Sequence, residues 1–292
     1  MKIINPSESK RAYAEGVYPS PPELLRRHGL YPKKPWGQCF LHDPQVVARI
    51  VAAAELREDD WVVEVGAGLG SLTVALAERV ARVVAVERDR DLVAVLRSEL
   101  AAYPRIELVE GNALTFDFRG FDRKVVVVGN LPYHIGTEIL FRVLEQRAGV
   151  RSATFMLQKE VAQRLAAAPG SRVYGAPSVL CQQVAEVSLR LTVGRGAFTP
   201  PPRVDSAVVH LAFRDAPQVE VDDAHFSRVV HAAFSARRKT LKRALAARFP
   251  VEAVTEALAA AGVRPEQRGE TLSVVEFGRL ALALQAPQDP LR

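Results

Sequence analysis

Cysteine is almost missing from this sequence: only Cys39 and Cys181 occur in 292 residues. Two thiols without metal-type spacing exclude a disulfide framework and leave no zinc site, so no metal is expected. Long apolar runs are missing too. Nothing approaches the ~20 consecutive apolar residues of a membrane span, and the N-terminus has no apolar signal core. No membrane partner is therefore expected, and the chain reads as cytoplasmic. Internal repeats and low-complexity tracts are also lacking, which sets aside solenoids and disordered polymers. Acid is absent from one stretch: Ala224 to Val251 hold seven basic residues and no Asp or Glu.

What is present is globular in composition, 48% hydrophobic and 25% charged, with a net charge of +6. That charge permits a polyanionic partner. The length allows one large domain and a small one. Residues 1–32 carry scattered prolines and charge without sustained periodicity, and read as a loosely ordered extension with one short helix near Glu23–His28. From 33 to 214, strands alternate with helices. Trp61–Val65, Val83–Glu87, Ile106–Val109, the valine run 125–128 and Thr154–Leu157 are the strands, so an α/β fold with a parallel sheet is expected. Asp43 and Pro44 read as the N-cap and first residue of a helix. Residues 215–285 read as short helices forming a small C-terminal domain, and 286–292 as a tail.

Candidate chemistry collects where the strands end. Lys124-Val-Val-Val-Val-Gly-Asn-Leu-Pro-Tyr-His134 starts as a stiff, β-branched central strand and stops at Gly129. Asn130, Leu131, Pro132 and Tyr133 follow, in the place where a doubly wound sheet opens its ligand crevice. An amide, free carbonyls and an aromatic ring there suit a planar base that bears an amino group. Taken alone, the four residues also read as an ordinary polar turn. The first strand runs into Gly66-x-Gly68-x-Gly70, which is not the dinucleotide spacing and suits a cofactor with an amino-acid tail. Glu87 ends the second strand, where a carboxylate can accept from ribose hydroxyls. Asn112 follows the third, where its side-chain oxygen can accept from an adenine amino group. Three nucleoside-type contacts at consecutive strand ends favour S-adenosylmethionine over a nicotinamide dinucleotide.

Asn130-Leu-Pro-Tyr133 resembles the [NDS]-[LIP]-P-[YF] motif of amino-directed adenine methyltransferases. Gly37-Gln-Cys-Phe-Leu41, Met156-Leu-Gln-Lys-Glu-Val161, Phe198-Thr-Pro-Pro-Pro-Arg-Val-Asp-Ser206 and Arg237-Arg-Lys-Thr-Leu241 stand around it. In this order the motifs resemble the KsgA (RsmA) family, which dimethylates two neighbouring adenosines near the 3′ end of small-subunit (16S) ribosomal RNA. The resemblance spans roughly Lys33 to Ala283. It implies a Rossmann-like class I methyltransferase sheet with a helical C-terminal domain, S-adenosylmethionine as cofactor, and a cytoplasmic monomer acting on RNA and not DNA. It implies that Gln38, Cys39 and Leu41 wall the cofactor. Gly66, Gly68 and Glu87 hold its methionine and ribose, Asn112 and Ala113 its adenine. Asn130 lies where cofactor and target meet. Two positions depart from the family's pattern: Cys39 replaces an asparagine and Asn112 an aspartate. A thiol is a poorer hydrogen-bonding group than an amide.

Stacking assigns the flipped target base to Tyr133 and to Phe198, the latter expected in an exposed, proline-stiffened loop. Arg237, Arg238, Lys239, Lys242 and Arg243 are candidate RNA contacts. Arg238/Lys242 and Lys239/Arg243 stand four apart, a spacing that repels on a helix unless phosphates neutralise it. The alternatives are the related large-subunit enzyme of macrolide resistance, a DNA adenine methyltransferase, and an assembly factor with secondary catalysis. His134 as a general base is the less economical reading.

Overall fold

A computed structural model describes residues 18–236 and 239–285. The first 17 residues, Arg237, Arg238 and the expected 286–292 tail lie outside the described residues. The chain divides into two compact units, Met1–Ala162 with Ser188–Phe213, and Gln163–Val187 with Arg214–Arg292.

The first unit is built on a seven-stranded sheet. Its strands are β2 (Trp61–Val65), β3 (Arg82–Glu87), β4 (Ile106–Glu110), β5 (Val125–Asn130), β6 (Val150–Gln158), β7 (Ala185–Val193) and β9 (Ser206–Phe213), in the spatial order β4-β3-β2-β5-β6-β9-β7. Neighbours from β4 to β6 are parallel, and β9 runs antiparallel to β6. The valines of β5 are fully buried, as expected for a strand covered on both faces. Strand order runs outward from β2 through β3 to β4, then returns to β5 on the other side of β2. That reversal separates the loops that follow β2 and β5 and opens a crevice at their carboxyl ends. The strands approach so closely at Gly129 that a Cβ there would lie 2.7 Å from Val65 O. Glycine is the side-chain-free residue that this approach requires.

Helices α2 (Pro44–Ala53), α3 (Ser71–Ala77), α4 (Arg90–Glu99) and α5 (Gly136–Glu145) belong to this unit. Asp43 caps α2, accepting from Gln45 N and Val46 N, with Pro44 leading the helix. A two-stranded pair joins β1 (Phe40–Leu41) to β8 (Phe198–Thr199). The N-terminal stretch holds the short helix expected there, but from Tyr18 onward it is more closely packed than expected. Tyr18 and the leucines of α1 (Pro21–Arg27) are buried, and Tyr18, Leu24 and Leu25 share a core with Leu69, Leu92 and Leu96. The Tyr18 hydroxyl donates to Leu69 O at 2.9 Å. Tyr18 and the inner face of α1 are therefore packed, because three apolar side chains too scattered to show a period meet one apolar face.

The second unit is helical. It holds α7 (Ala176–Val184), α8 (Asp223–Phe234), α9 (Leu241–Leu245), α10 (Val251–Ala260) and α11 (Val274–Leu284), around Val179, Phe226, Val229, Leu245, Leu258 and Phe277. Residues 163–187 belong here, whereas the boundary expected near Arg214 left them with the sheet. Their chain follows β6 through α6 (Lys159–Leu165) and so continues the α/β rhythm, but Tyr174, Ala176 and Val179 bury their side chains with Phe226 and Phe277. The basic stretch is also not one helix. Lys239 precedes Thr240, whose extended backbone starts α9, so Lys239 and Arg243 are not a pair on one helix face. Among the described residues, no helix is long and apolar enough to cross a membrane.

Candidate active site

The crevice at the carboxyl ends of β2, β3 and β5 is a cavity of ≈ 330 Å³. Of the residues singled out from sequence, Gln38, Cys39, Gly66, Gly68, Glu87, Asn112, Ala113, Asn130, Leu131, Pro132, Tyr133 and Phe198 line it. Leu41 does not. It is buried behind the wall with Val47 and Ile50, while its neighbour Phe40 lines the cavity. Phe198 is 3% exposed, so the expected exposed loop is instead a buried strand residue opposite Leu41. It reaches the cavity as part of a packed wall.

The glycine loop brings backbone to the cavity. Gly66 and Gly68 have φ of 76° and 60°, a region that side-chain-bearing residues rarely adopt. Glu87 organises the opposite wall. Its Oε2 accepts from Gly68 N at 2.9 Å, and its Oε1 from Arg88 N and Asp89 N, both at 2.8 Å. Burial pushes the carboxyl above its ordinary range, and those backbone donors oppose the rise. Glu64, just before the loop, is entirely buried, which raises its pKa to about 8.

At the end of β5, Asn130 Nδ2 donates to Cys39 O at 3.3 Å. This engages the donor end of the amide and leaves the acceptor, Oδ1, for a ligand. The Cys39 contribution is thus a backbone carbonyl. Its thiol is half-buried and held above the ordinary value by burial. Asn112 Oδ1 accepts from Leu114 N at 3.1 Å, which fixes its carboxamide with a lone pair remaining.

Sequence reasoning did not single out the rim. Trp36 lines the cavity, with Lys33 Nζ 5.2 Å and Arg88 Cζ 5.3 Å from its ring centroid. Lys33 Nζ meets Asp89 Oδ1 at 2.6 Å, and Gln38 Nε2 meets Asp89 Oδ2 at 2.6 Å. Asp89 feels burial, which raises its pKa, but the Lys33 and Gln38 contacts prevail and hold it low. Adjacency to Gly37-Gln38 was the one available signal for Trp36. Asp89 had none, because its partners are distant in sequence.

The donor set suits an adenosine bearing an amino-acid tail, with glycine backbone, a strand-end carboxylate and a fixed amide in one cavity. Known proteins agree with this chemistry. A family model described as "Ribosomal RNA adenine dimethylase" matches residues 31–286. The Ribosomal RNA small subunit methyltransferase A of Myxococcus xanthus is 50% identical over 91% of this chain and 95% of its own length. Its counterpart in Shouchella clausii is 43% identical over 89% and 92%. Among solved structures, 23S rRNA methyltransferase ErmE is 31% identical with a TM-score of 0.67, covering 85% of this chain and 100% of its own. A dimethyladenosine transferase from Plasmodium falciparum is 26% identical with a TM-score of 0.75, covering 83% and 96%. Family match, extended identity and cavity chemistry agree, and the chain belongs to the ribosomal RNA adenine dimethylase family, as an rRNA adenine dimethyltransferase.

Proposed function

We propose that the protein uses S-adenosylmethionine to dimethylate two adjacent adenosines near the 3′ end of 16S rRNA in the small ribosomal subunit. The observation that carries this reading is the fixed Asn130 amide, which shares one cavity with the glycine loop and Glu87. Gly66, Gly68 and Glu87 would hold the methionine and ribose portions of the cofactor, and Asn112 and Ala113 its adenine. When bound, S-adenosylmethionine supplies an electrophilic methyl group.

The chain's own residues address the poor nucleophile. An adenine amino lone pair is delocalised into the ring. Hydrogen bonds from that amino group to Asn130 Oδ1 and to a backbone carbonyl favour a pyramidal nitrogen with a localised lone pair. Leu131 O is the better carbonyl, because Pro132 O already accepts from Ile135 N at 3.2 Å. Both acceptors bind more strongly as the nitrogen becomes positive, so they favour the transition state. No strong base is required, since the methylated ammonium is acidic. Tyr133 and Phe198 stack on the flipped base, an interaction worth ~1–3 kcal/mol per base.

Small-subunit specificity rests on the 50% identity to a small-subunit enzyme against 31% to the 23S enzyme. Incubation with small subunits, large-subunit RNA and S-adenosylmethionine, followed by digestion and mass spectrometry, tests it. Dimethyladenosine in 16S rRNA alone is the expected result, and modification of 23S rRNA alone would overturn it. Immature particles, mature particles and naked RNA should be compared, which also separates catalysis from an assembly role.

Arg237, Arg238, Lys239, Lys242 and Arg243 would contact phosphates. The double change Lys242→Glu with Arg243→Glu should weaken particle binding and flatten its salt dependence by about 0.7–0.9 for each phosphate interaction removed. Cofactor affinity should be unaltered. An unchanged salt slope would make these residues ordinary solvated surface.

A further inference from the structure

We propose that Ser206 is a positioning residue that anchors the Tyr133 ring and thereby sustains the second methyl transfer. This rests on the reading of Tyr133 as one wall of the target-base slot.

Tyr133 lies between the end of β5 at Asn130 and the start of α5 at Gly136, where no sheet ladder holds it. The loop backbone is tied by Leu131 N to Met156 O at 3.1 Å and Ile135 N to Pro132 O at 3.2 Å. The ring itself is held at its far end, where the Tyr133 hydroxyl lies 2.7 Å from Ser206 Oγ. Ser206 is completely buried, opens β9, and pairs with Gln158 of β6. A further bond, Lys159 N to Asp205 O at 3.0 Å, secures the strand entry. The anchor therefore belongs to the rigid sheet while the ring belongs to a turn.

Stacking does not explain the hydroxyl, because a phenylalanine ring offers the same face. Burial pushes the Tyr133 phenol above its ordinary value, outweighing the Ser206 bond. The phenol thus stays neutral, and either hydroxyl can donate in the link. Phe198, the other wall, pairs into β8. Both aromatic walls are referred to one segment, residues 198–206. A loosened Tyr133 would be felt most after the first transfer, when a bulkier methylamino group must be presented again in the same direction.

The test is a double-mutant cycle with Ser206→Ala, Tyr133→Phe and both together, alongside Tyr133→Ala. Single-turnover rates for each transfer and the ratio of monomethyl- to dimethyladenosine are measured by mass spectrometry on small-subunit particles. Either single change should slow the second transfer about five- to ten-fold, the effect of removing one hydrogen bond, and raise the monomethyl fraction. The double variant should be no slower than either, because the two changes remove one shared interaction. S-adenosylmethionine affinity should stay at the wild-type value. Additive effects, or an unchanged product ratio in Tyr133→Phe, would overturn the proposal, and this variant serves even where Ser206→Ala fails to fold. Normal dimethylation by Tyr133→Ala would instead remove Tyr133 from the base slot, a separate failure.

Discussion

Replacing Asn130 with alanine is expected to slow single-turnover methyl transfer by ~100-fold or more, the loss typical of one preorganised polar group. The amide is held in place before any substrate arrives, since Nδ2 donates to Cys39 O. Its acceptor therefore needs no reorganisation when the adenine nitrogen gains charge. Alanine removes that acceptor while β5 keeps its valines and its closure at Gly129. Asn130→Asp is the informative companion, because it retains an acceptor but loses the donor to Cys39 O. Its rate should fall between those of wild type and alanine. Particle binding should hardly change, because phosphate interactions carry that affinity. Near-normal dimethyladenosine from Asn130→Ala at early times would defeat the mechanism while leaving the family intact.

Glu87→Ala should weaken S-adenosylmethionine binding by ~1.5–3 kcal/mol, or about 10- to 150-fold, as expected for charge-assisted hydrogen bonds. Two effects combine. The carboxylate is the proposed ribose acceptor, and it also holds Gly68 N, Arg88 N and Asp89 N. Removing it releases both the glycine loop and the turn that enters α4. Glu87→Gln keeps one acceptor oxygen and should lose less affinity. Calorimetry on the folded variants reads the effect directly. An unchanged affinity for Glu87→Ala would take this residue out of the cofactor site.

The sheet was legible because a β-branched run such as residues 125–128 suits few structures other than a central strand. The Gly66-x-Gly68 and Asn130-Leu-Pro-Tyr133 stretches were legible for a related reason. Each is a local solution to a local demand, a tight approach or a turn with exposed acceptors. Phe198 was misplaced, since its prolines marked an exposed loop while its pairing partner, Leu41, lies far away in sequence. The core places of Tyr18, Leu24 and Leu25 were likewise hidden, for only the apolar surface of Leu69, Leu92 and Leu96 makes them buried.

By itself the sequence determined the class of fold, the family and most of the residues that converge on the cavity, since those depend on short-range pattern and on side-chain chemistry. Tertiary structure alone decided how each acts. It turned the Asn130 amide by a bond to Cys39 O, buried Leu41 with Val47 and Ile50 behind the wall, and joined Tyr133 to Ser206. It also moved residues 163–187 into the helical unit. Each of these outcomes depends on residues distant in the chain meeting one another, within the sheet unit or within the helical one, and no local pattern specifies such meetings.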